Sequence, residues 1–414
     1  MNAPANLDAG AGQRPSFREF VAMMASIMAM VALAIDSMLP ALPAIADSLK
    51  VINDNDRQFV IGAFMLGFGA AQLFVGTLSD RYGRRPVLLT MLVFYALFSI
   101  AGALAPTFEL LVAARIAQGA SAAGGRVLVT SIVRDRYVGR QMARVMSLVF
   151  IVFMAVPVIA PAIGQLILLV APWRWIFVVL GVAGAAIATW VAISLPETLA
   201  PQNRIPLRPK EIARSVRLVL ADRQSTGYAT AVGFMTGAMM SFLNSVSQVL
   251  EVTFQSLHLM VPVFACAAVT MAIGSLMNSR LVVRLGMRFL GHLALIAFTI
   301  LAGIHLIVSL SGYTTLVTFA LLQAVMMGCF GLATSNFGAL AMENVGKVAG
   351  TASSLQGSYS TVMGALIGIV AGQAFNGTTV PLYTSIFLCG LGALATILIT
   401  ERGRLMHSGQ APPT

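Results

Sequence analysis

Long apolar stretches follow one another along the whole chain, with short polar loops between them. A helix needs about 20 apolar residues to cross the roughly 30 Å of hydrocarbon in a bilayer. Twelve stretches, numbered here as spans 1 to 12, reach that length near 18–40, 58–79, 87–106, 108–131, 142–170, 173–195, 226–250, 261–283, 289–310, 314–336, 348–372 and 380–400. The pattern predicts an all-α polytopic membrane protein with twelve transmembrane helices and with both termini on one side.

One long polar interval, residues 196–225, separates the first six spans from the last six. We therefore expect an N-terminal six-helix bundle over 1–195 and a C-terminal one over 226–414. The first part of the intervening linker is rich in proline, and its later KEIARSVRLVL stretch has the spacing of an amphipathic helix at a membrane surface.

The loop after span 8 repeats the loop after span 2. Arg284, Gly286 and Arg288 stand where Arg81, Gly83 and Arg85 stand in the first half, and Val283 takes the place of Asp80. Internal repeats of this kind are common in secondary transporters. The sequence thus indicates two related halves.

Composition and charge agree with a membrane protein. Charged residues make up 10% of the chain, against about a quarter in soluble domains. Of the 26 Lys and Arg residues, 21 lie in the tails and loops on the side of the termini. The positive-inside rule makes that side cytoplasmic. The net charge of +11 therefore reflects topology and gives no reason to expect nucleic acid as a partner.

The densest charge lies in GTLSDRYGRRPVL, between spans 2 and 3. Its glycines allow close helix approach and a turn with positive φ, and its acid can accept hydrogen bonds from an arginine or a helix N-terminus. The block resembles the signature loop of the major facilitator superfamily, with every signature position present at Gly76, Leu78, Asp80, Arg81, Gly83, Arg84 and Arg85. The resemblance implies the major facilitator fold and a cytoplasmic gate that breaks when the protein opens inward.

Further blocks resemble one branch of that superfamily. They are AIDSMLPALPAIA in span 1, ARIAQGASAAGG with IVRDRY in span 4, WRWIF and PET around span 6, and VAGTASSLQG entering span 11. They are similar to the bicyclomycin/chloramphenicol resistance branch of the drug:proton antiporters. The resemblance implies an exporter of small drugs in the bacterial inner membrane, driven by the proton gradient without a cofactor. The internally duplicated design makes a functional monomer the default. A transporter of an endogenous metabolite is the alternative.

Charged residues inside the spans are candidates for function, because each costs about 2.5–3.5 kcal/mol or more to insert. They are Asp36 in span 1 and Arg115 and Arg126 in span 4. The two arginines are eleven residues apart and so lie within roughly 20° of the same helix face. If Asp36 and Arg115 meet in one state and separate in another, proton release and uptake follow.

The family resemblance implies proton coupling by Asp36, Arg115 and Gln118, with Gly119 beside them. The alternatives are that Asp36 orients the end of span 1 and that Arg115 is a buried structural hydrogen-bond donor. Arg126 matches no family position, and it either takes part in proton coupling or extends to the membrane surface.

Span 5 carries the antiporter signature in altered form, AVPVIAPAIGQ, with Pro157, Pro161 and Gly164. Each proline removes a backbone donor, so we expect a bend there. The alternative is that neighbouring groups satisfy the freed carbonyls and the helix tolerates both prolines.

A polar stripe in span 7, with Ser241, Asn244 and Gln248 beside Met239, suits an adaptable drug cavity. Asn336 in span 10 is a further candidate. Hydrogen bonding between membrane helices explains these residues equally well.

The sequence lacks the motifs that mark other classes of protein. The chain has neither the HExxH pattern of a metalloprotease nor a GxxxxGK[ST] nucleotide-binding loop. We expect no catalytic residue, no metal site and no use of ATP, with small drugs, protons and the bilayer as partners.

Overall fold

The structure, a computed structural model, describes residues 15–204 and 209–406. Within those residues it contains helices and connecting turns. The helices are α1 (Phe17–Asp36), α2 (Leu42–Ser48), α3 (Phe59–Tyr82), α4 (Arg84–Leu104), α5 (Phe108–Arg136), α6 (Gly139–Val170), α7 (Arg174–Ser194), α8 (Pro209–Ala221), α9 (Arg223–Gln248), α10 (Met260–Leu285), α11 (Met287–Leu310), α12 (Leu316–Met342), α13 (Ala349–Gln373) and α14 (Val380–Thr400).

Twelve of the described helices are long, and α2 and α8 are short. Within the described ranges, eleven candidate membrane spans meet the requirements of length and hydropathy. The twelfth long helix, α5, is less apolar because it carries Arg115 and Arg126. It packs against α1, α3 and α4, so much of its surface is shielded from lipid. The predicted all-α membrane fold with twelve spans is confirmed.

Two sets of helices pack mainly among themselves. In the first half, α3 packs on α5, α4 on α7 and α1 on α6. In the second half, α9 packs on α13 and α14, and α10 on α12. The two sets meet along α3 with α13 and α6 with α10. The domain bounds expected from the sequence stay a prediction. The linker helix α8 rests against α9 and α13, and its Val219 packs on Val345 and Ala352.

The repeated loop has the same backbone in both halves. Gly83, between α3 and α4, has φ 104° and ψ 156°, and Gly286, between α10 and α11, has φ 81° and ψ 156°. A side chain at either position would be strained, since L-residues avoid positive φ. The two glycines therefore produce equivalent helix-to-helix turns.

The two ends of the bundle differ in how the halves meet. We call the end that holds Ser16, Tyr82 and Glu401 the terminal end and the opposite one the distal end. At the distal end, Ser247 Oγ of α9 donates to the Leu39 carbonyl at 2.9 Å, and the Asn55 amide donates to the carbonyls of Gln373 and Phe375, each at 2.9 Å. The halves are thus joined at the distal end.

An ion pair reinforces this distal closure. Arg57, just before α3, contacts Glu251 at the end of α9 at 2.8 Å, and Arg57 is 5% exposed. Beside it, the Gln248 amide donates to the Asp54 carbonyl at 3.1 Å and also contacts Gln58. These residues, named here the distal latch, must separate for the distal end to open.

Neutralising the distal latch should favour opening at the distal end. For Glu251→Gln we expect the population of distal-open molecules to rise roughly five-fold, because an ion pair of this kind contributes about 1 kcal/mol. Arg57→Gln should act in the same direction. Spin labels can be placed at exposed Ile52 and Thr378, one in each half. In both variants the distance between the two labels, measured by double electron–electron resonance, should be longer than in the wild type.

The matched control is Arg174→Gln at the same end of the bundle, because Arg174 bonds only to Ser48 and the Ala105 carbonyl of its own half among the described residues. The charge-swapped pair Arg57→Glu with Glu251→Arg should restore the closed distances. Unchanged distances in both single variants would contradict the latch.

Candidate functional site

Arg115 lies at the centre of the first half, with no exposed surface. Its Nε donates to the Val60 carbonyl of α3 at 2.8 Å, and one terminal nitrogen donates to the Ala34 carbonyl of α1 at 3.0 Å. The last carbonyls of a helix lack partners within it, so the bond to Ala34 caps the end of α1. The guanidinium also lies 4.5 Å from the centre of the Phe64 ring and 5.8 Å from that of Phe177.

Gln118 extends this network to α4. Its side-chain oxygen accepts from Arg115 at 2.7 Å, and its amide donates to Ser99 Oγ at 2.7 Å. Ser99 in turn donates to the Tyr95 carbonyl at 2.7 Å. One buried arginine of α5 thereby contacts α1, α3 and α7 and reaches α4 through Gln118.

Asp36 is the last residue of α1 and is 5% exposed. Among the residues that the structure describes, its carboxylate has neither a hydrogen bond nor an ion pair. The anticipated contact with Arg115 is absent in this conformation, although Arg115 binds the backbone only two residues before Asp36. The end of α1 therefore combines a capped backbone with an unpartnered acid.

Gly119 explains how α5 comes so close to α3. A Cβ at this position would lie 2.0 Å from the Phe64 carbonyl oxygen. No side chain fits at that separation. The glycine thus allows the approach that brings Arg115 within reach of the Val60 carbonyl.

The signature loop forms a network inside the first half. Arg84, 4% exposed, contacts Asp80 at 2.5 Å and Asp135 of α5 at 3.0 Å. Glu197, from the PET block, accepts from the backbone N–H of Arg84 at 2.9 Å and of Arg85 at 3.3 Å, which caps the start of α4. The sequence singled out the arginines of this loop but missed Asp135 and Glu197 as their partners.

The remaining residues of the loop have distinct positions. Gly76 faces α13, where a Cβ would lie 3.2 Å from Ser354 Oγ. Arg81 is exposed, and Arg85 donates to the Ala192 carbonyl at 2.5 Å. The loop thus anchors α3, α4, α5 and the end of α7.

Asp80 does not meet α13 in this structure. The contacts of α3 with α13 pair Gly69 with Val362 and Gly76 with Ser354, a register that places Asp80 level with Gly350 in the first turn of α13. A Cβ at Gly350 would meet nothing within 4 Å, and among the described residues Asp80 pairs with Arg84 instead.

In α6 the helix runs from Gly139 to Val170 with Pro157 and Pro161 inside it. Ala160, where the family pattern has glycine, is buried against Ala29 and Ala32 of α1. Gly164 lies against the chain just after α1, since a Cβ there would be 2.2 Å from the Ser37 carbonyl oxygen. Small residues therefore hold α6 against the end of α1 that carries Asp36.

A methyl group at Gly164 should disturb this contact. For Gly164→Ala we expect a loss of about 1–3 kcal/mol in the free energy of unfolding, because the crowded atoms are backbone and proline ring and cannot rotate away. Unfolding titrations in mixed micelles would measure it. Gly338→Ala is the control, since a Cβ at that helical position meets nothing within 4 Å; equal stability of the two variants would contradict the prediction.

The five cavity candidates make different contacts in this conformation. Ser241 contacts Ser385 of α14 at 2.9 Å, and Asn336 donates to Asn278 of α10 at 2.7 Å, so both join neighbouring helices. Asn244 is buried and bonds to the Met240 carbonyl of its own helix, Met239 is half-buried, and Gln248 belongs to the distal latch. A role for them in a drug cavity stays a prediction.

Arg126 differs from Arg115 in its exposure and in its partners. Its side chain is exposed although it lies well inside α5, and among the described residues it has no ion pair. The structure does not bring it together with Asp36, Arg115 or Gln118. No grouping of His, Cys, Asp and Glu suited to a metal ion occurs in the described ranges.

Sequence reasoning also missed the distal latch. Arg57 was one of three basic residues on the side away from the termini, and Glu251 the only acid at the end of span 7. The signal available was a basic residue in the loop before span 2 and an acid at the end of span 7, on the same side of the membrane. Their pairing across the halves requires the fold.

Comparison with known protein sequences assigns the chain to a family. The family model described as Major Facilitator Superfamily matches residues 24–368. The MFS-type transporter YdgK of Bacillus subtilis and a bicyclomycin resistance protein homolog of Haemophilus influenzae are each 31% identical to this chain, over 89% of its length and 92% of theirs.

Among solved structures, a bacterial homolog of the human lysosomal transporter Spinster, in an inward-facing and occupied conformation, matches with a TM-score of 0.69. It is 15% identical, covers 95% of this chain and 98% of its own, and shows a shared fold. Two six-helix sets, a signature loop with its glycine turn in both halves, and relatives that are transporters rather than enzymes lead to one conclusion. The chain belongs to the major facilitator superfamily of multi-pass membrane transporters.

Proposed function

We propose that this chain is a proton-coupled exporter of small drugs in the bacterial cytoplasmic membrane. The observation that carries the proposal is Asp36, an acid buried in the membrane-spanning part with no partner among the described residues. Such a residue is costly in a membrane and is by default a candidate for ion or proton transfer. The relative named a bicyclomycin resistance protein homolog supports drugs as substrates.

The conformation supports alternating access. The distal latch closes one end of the bundle, while at the other end Asp80 has no contact with α13 among the described residues and a Cβ at Gly350 would meet nothing within 4 Å. The positive-inside rule makes the terminal end cytoplasmic, so this is an inward-facing state. In the outward-facing state the distal latch opens, and Asp80 meets the N-terminus of α13.

Proton exchange at Asp36 follows from its position at the end of α1. Arg115 binds the Ala34 carbonyl, and Gly164 holds α6 against Ser37, so movement between α1, α5 and α6 changes the surroundings of the carboxylate. When the positive charge of Arg115 comes nearer, the ionised acid is favoured and a proton leaves. When it moves away, a proton returns. The proton gradient then supplies the energy and no cofactor is needed.

Drug-evoked proton release tests the proposal. Purified monomer in weakly buffered detergent solution, with a pH-sensitive dye, should release protons on addition of chloramphenicol or bicyclomycin, and release should saturate with drug binding measured in parallel. Drug binding without proton release would overturn antiport. Absence of both, with transport of a metabolite by the same protein in vesicles, would establish the alternative of a metabolite transporter.

A further inference from the structure

The direction of the Arg126 side chain follows from its neighbours along α5. Gly124 faces α4, where a Cβ would lie 2.5 Å from Met91, and Gly125 faces α1, where it would lie 3.1 Å from Ile27. Val127 reaches toward Gly76 of α3. Successive helical residues differ by about 100°, so Arg126 points away from α4, into the gap between α1 and α3.

That gap opens toward the second half. At the level of Arg126, α3 meets α13 through Gly76 and Ser354, whereas α4 lies on the opposite side of α5. The exposure of Arg126 is therefore exposure to the space between the halves. Lipid cannot be its neighbour there, because an unpaired guanidinium in hydrocarbon is too costly.

Arg126 also lies deep in the bundle. The helix α5 has 29 residues and is about 43 Å long at 1.5 Å per residue. Arg126 is ten residues before its end at Arg136, so its backbone lies about 15 Å from the terminal end. Its backbone lies about 6 Å from the middle of α5, on the side of the terminal end, and transporters of this type bind substrates near the middle of the membrane.

No acid of the described residues compensates this charge. Asp36 lies nine residues beyond Ile27 along α1, about 13 Å nearer the distal end. Arg115 donates from all three guanidinium nitrogens to its own half of the protein, whereas the donors of Arg126 have no protein acceptor in the described ranges. Of the two intramembrane arginines, Arg126 is thus the one whose N–H donors are available to bind a ligand.

We infer that Arg126 is a substrate-binding residue, which selects drugs carrying a carboxylate or a similar acceptor group and disfavours lipophilic cations. This inference rests on the proposed function and specifies its substrate class. A guanidinium binds a carboxylate through two parallel hydrogen bonds. The same positive charge repels a cation that enters from the terminal end, which is selection against the wrong substrate.

The accessibility of Arg126 is tested by cysteine labelling. In a background with Cys266, Cys329 and Cys389 changed to serine, Arg126→Cys should react rapidly with a water-soluble sulfonatoethyl methanethiosulfonate. The control Ala123→Cys, three residues away and fully buried, should react slowly. Equally slow labelling at both positions would overturn the inference.

Ligand charge is tested by binding. The probes are chloramphenicol and its hemisuccinate ester, which share one scaffold and differ by a carboxylate. For Arg126→Gln we expect the affinity for the hemisuccinate to fall at least about ten-fold, the size of one lost charge-assisted contact, and that for chloramphenicol to change little. Arg126→Lys, which keeps the charge without the fork, should lie between them.

Two outcomes separate this inference from the proposed function. Equal loss of affinity for both probes, or no loss for the hemisuccinate, would overturn the role of Arg126. A wild type that binds both probes but releases no proton would overturn antiport and leave charge selection by Arg126 standing.

Discussion

Asp36→Asn is expected to abolish drug-evoked proton release while drug binding is retained. An amide has nearly the shape of a carboxylic acid but can neither take up nor release a proton under these conditions. Because Asp36 has no hydrogen bond or ion pair in the described part of the chain, its replacement breaks no visible contact and should not unfold the protein. The measurement is proton release and drug binding on the same purified sample.

The control for this prediction is Asp47→Asn in α2, an exposed acid at the same end of the molecule. It makes the same chemical change where no role in coupling is proposed, and proton release should match the wild type. If Asp36→Asn released protons normally, the carrier would have to be another group. If the variant lost both drug binding and proton release, its unfolding profile would show whether it is still folded.

Arg115→Met should cost about 2–4 kcal/mol in the free energy of unfolding, the second large effect expected. The substitution removes the partner of the Ala34 and Val60 carbonyls and of the Gln118 side chain, and each buried polar group left without a partner costs about 1–3 kcal/mol. Reversible unfolding in mixed micelles would measure the loss.

Arg115→Lys distinguishes structure from charge at this position. Lysine keeps the positive charge but lacks the planar fork that reaches α1, α3 and Gln118 together, so we expect most of the loss to remain. Arg140→Lys, at an exposed position in the first turn of α6, should leave stability within about 0.5 kcal/mol of the wild type. A stable Arg115→Lys variant would show that charge alone matters.

If the folded fraction of Arg115→Lys still releases protons normally, Arg115 is structural, as its hydrogen bonds indicate. If it is folded but fails to release protons, its distance from Asp36 changes during transport and the coupling role holds. Two readouts on one variant therefore decide between the two interpretations that the sequence left open.

The turn glycines and the close contacts could be predicted because they depend on local geometry. Gly83 requires positive φ and Gly76 requires close helix approach, and both demands follow from the motif alone. The roles of Ser241 and Gln248 could not be predicted in this way. They share one helix face in the sequence, yet one contacts α14 and the other crosses to the first half.

What the sequence by itself determined is the series of membrane-spanning helices, since hydrocarbon thickness sets the length of each span. Their orientation stays a prediction from loop charge. The sequence also determined the signature loop and its repeat. Those properties depend on residues that are near one another in the chain.

The tertiary structure decided which of the two intramembrane arginines has hydrogen-bond partners within the protein. Arg115 and Arg126 lie nearly on one face of α5, so the sequence treats them alike. Near Gly119 the helices α3 and α5 touch and enclose Arg115, whereas Arg126, further toward the terminal end, faces the space between the halves. The physical reason is that burial depends on how neighbouring helices converge, and no periodicity along a single helix contains that information.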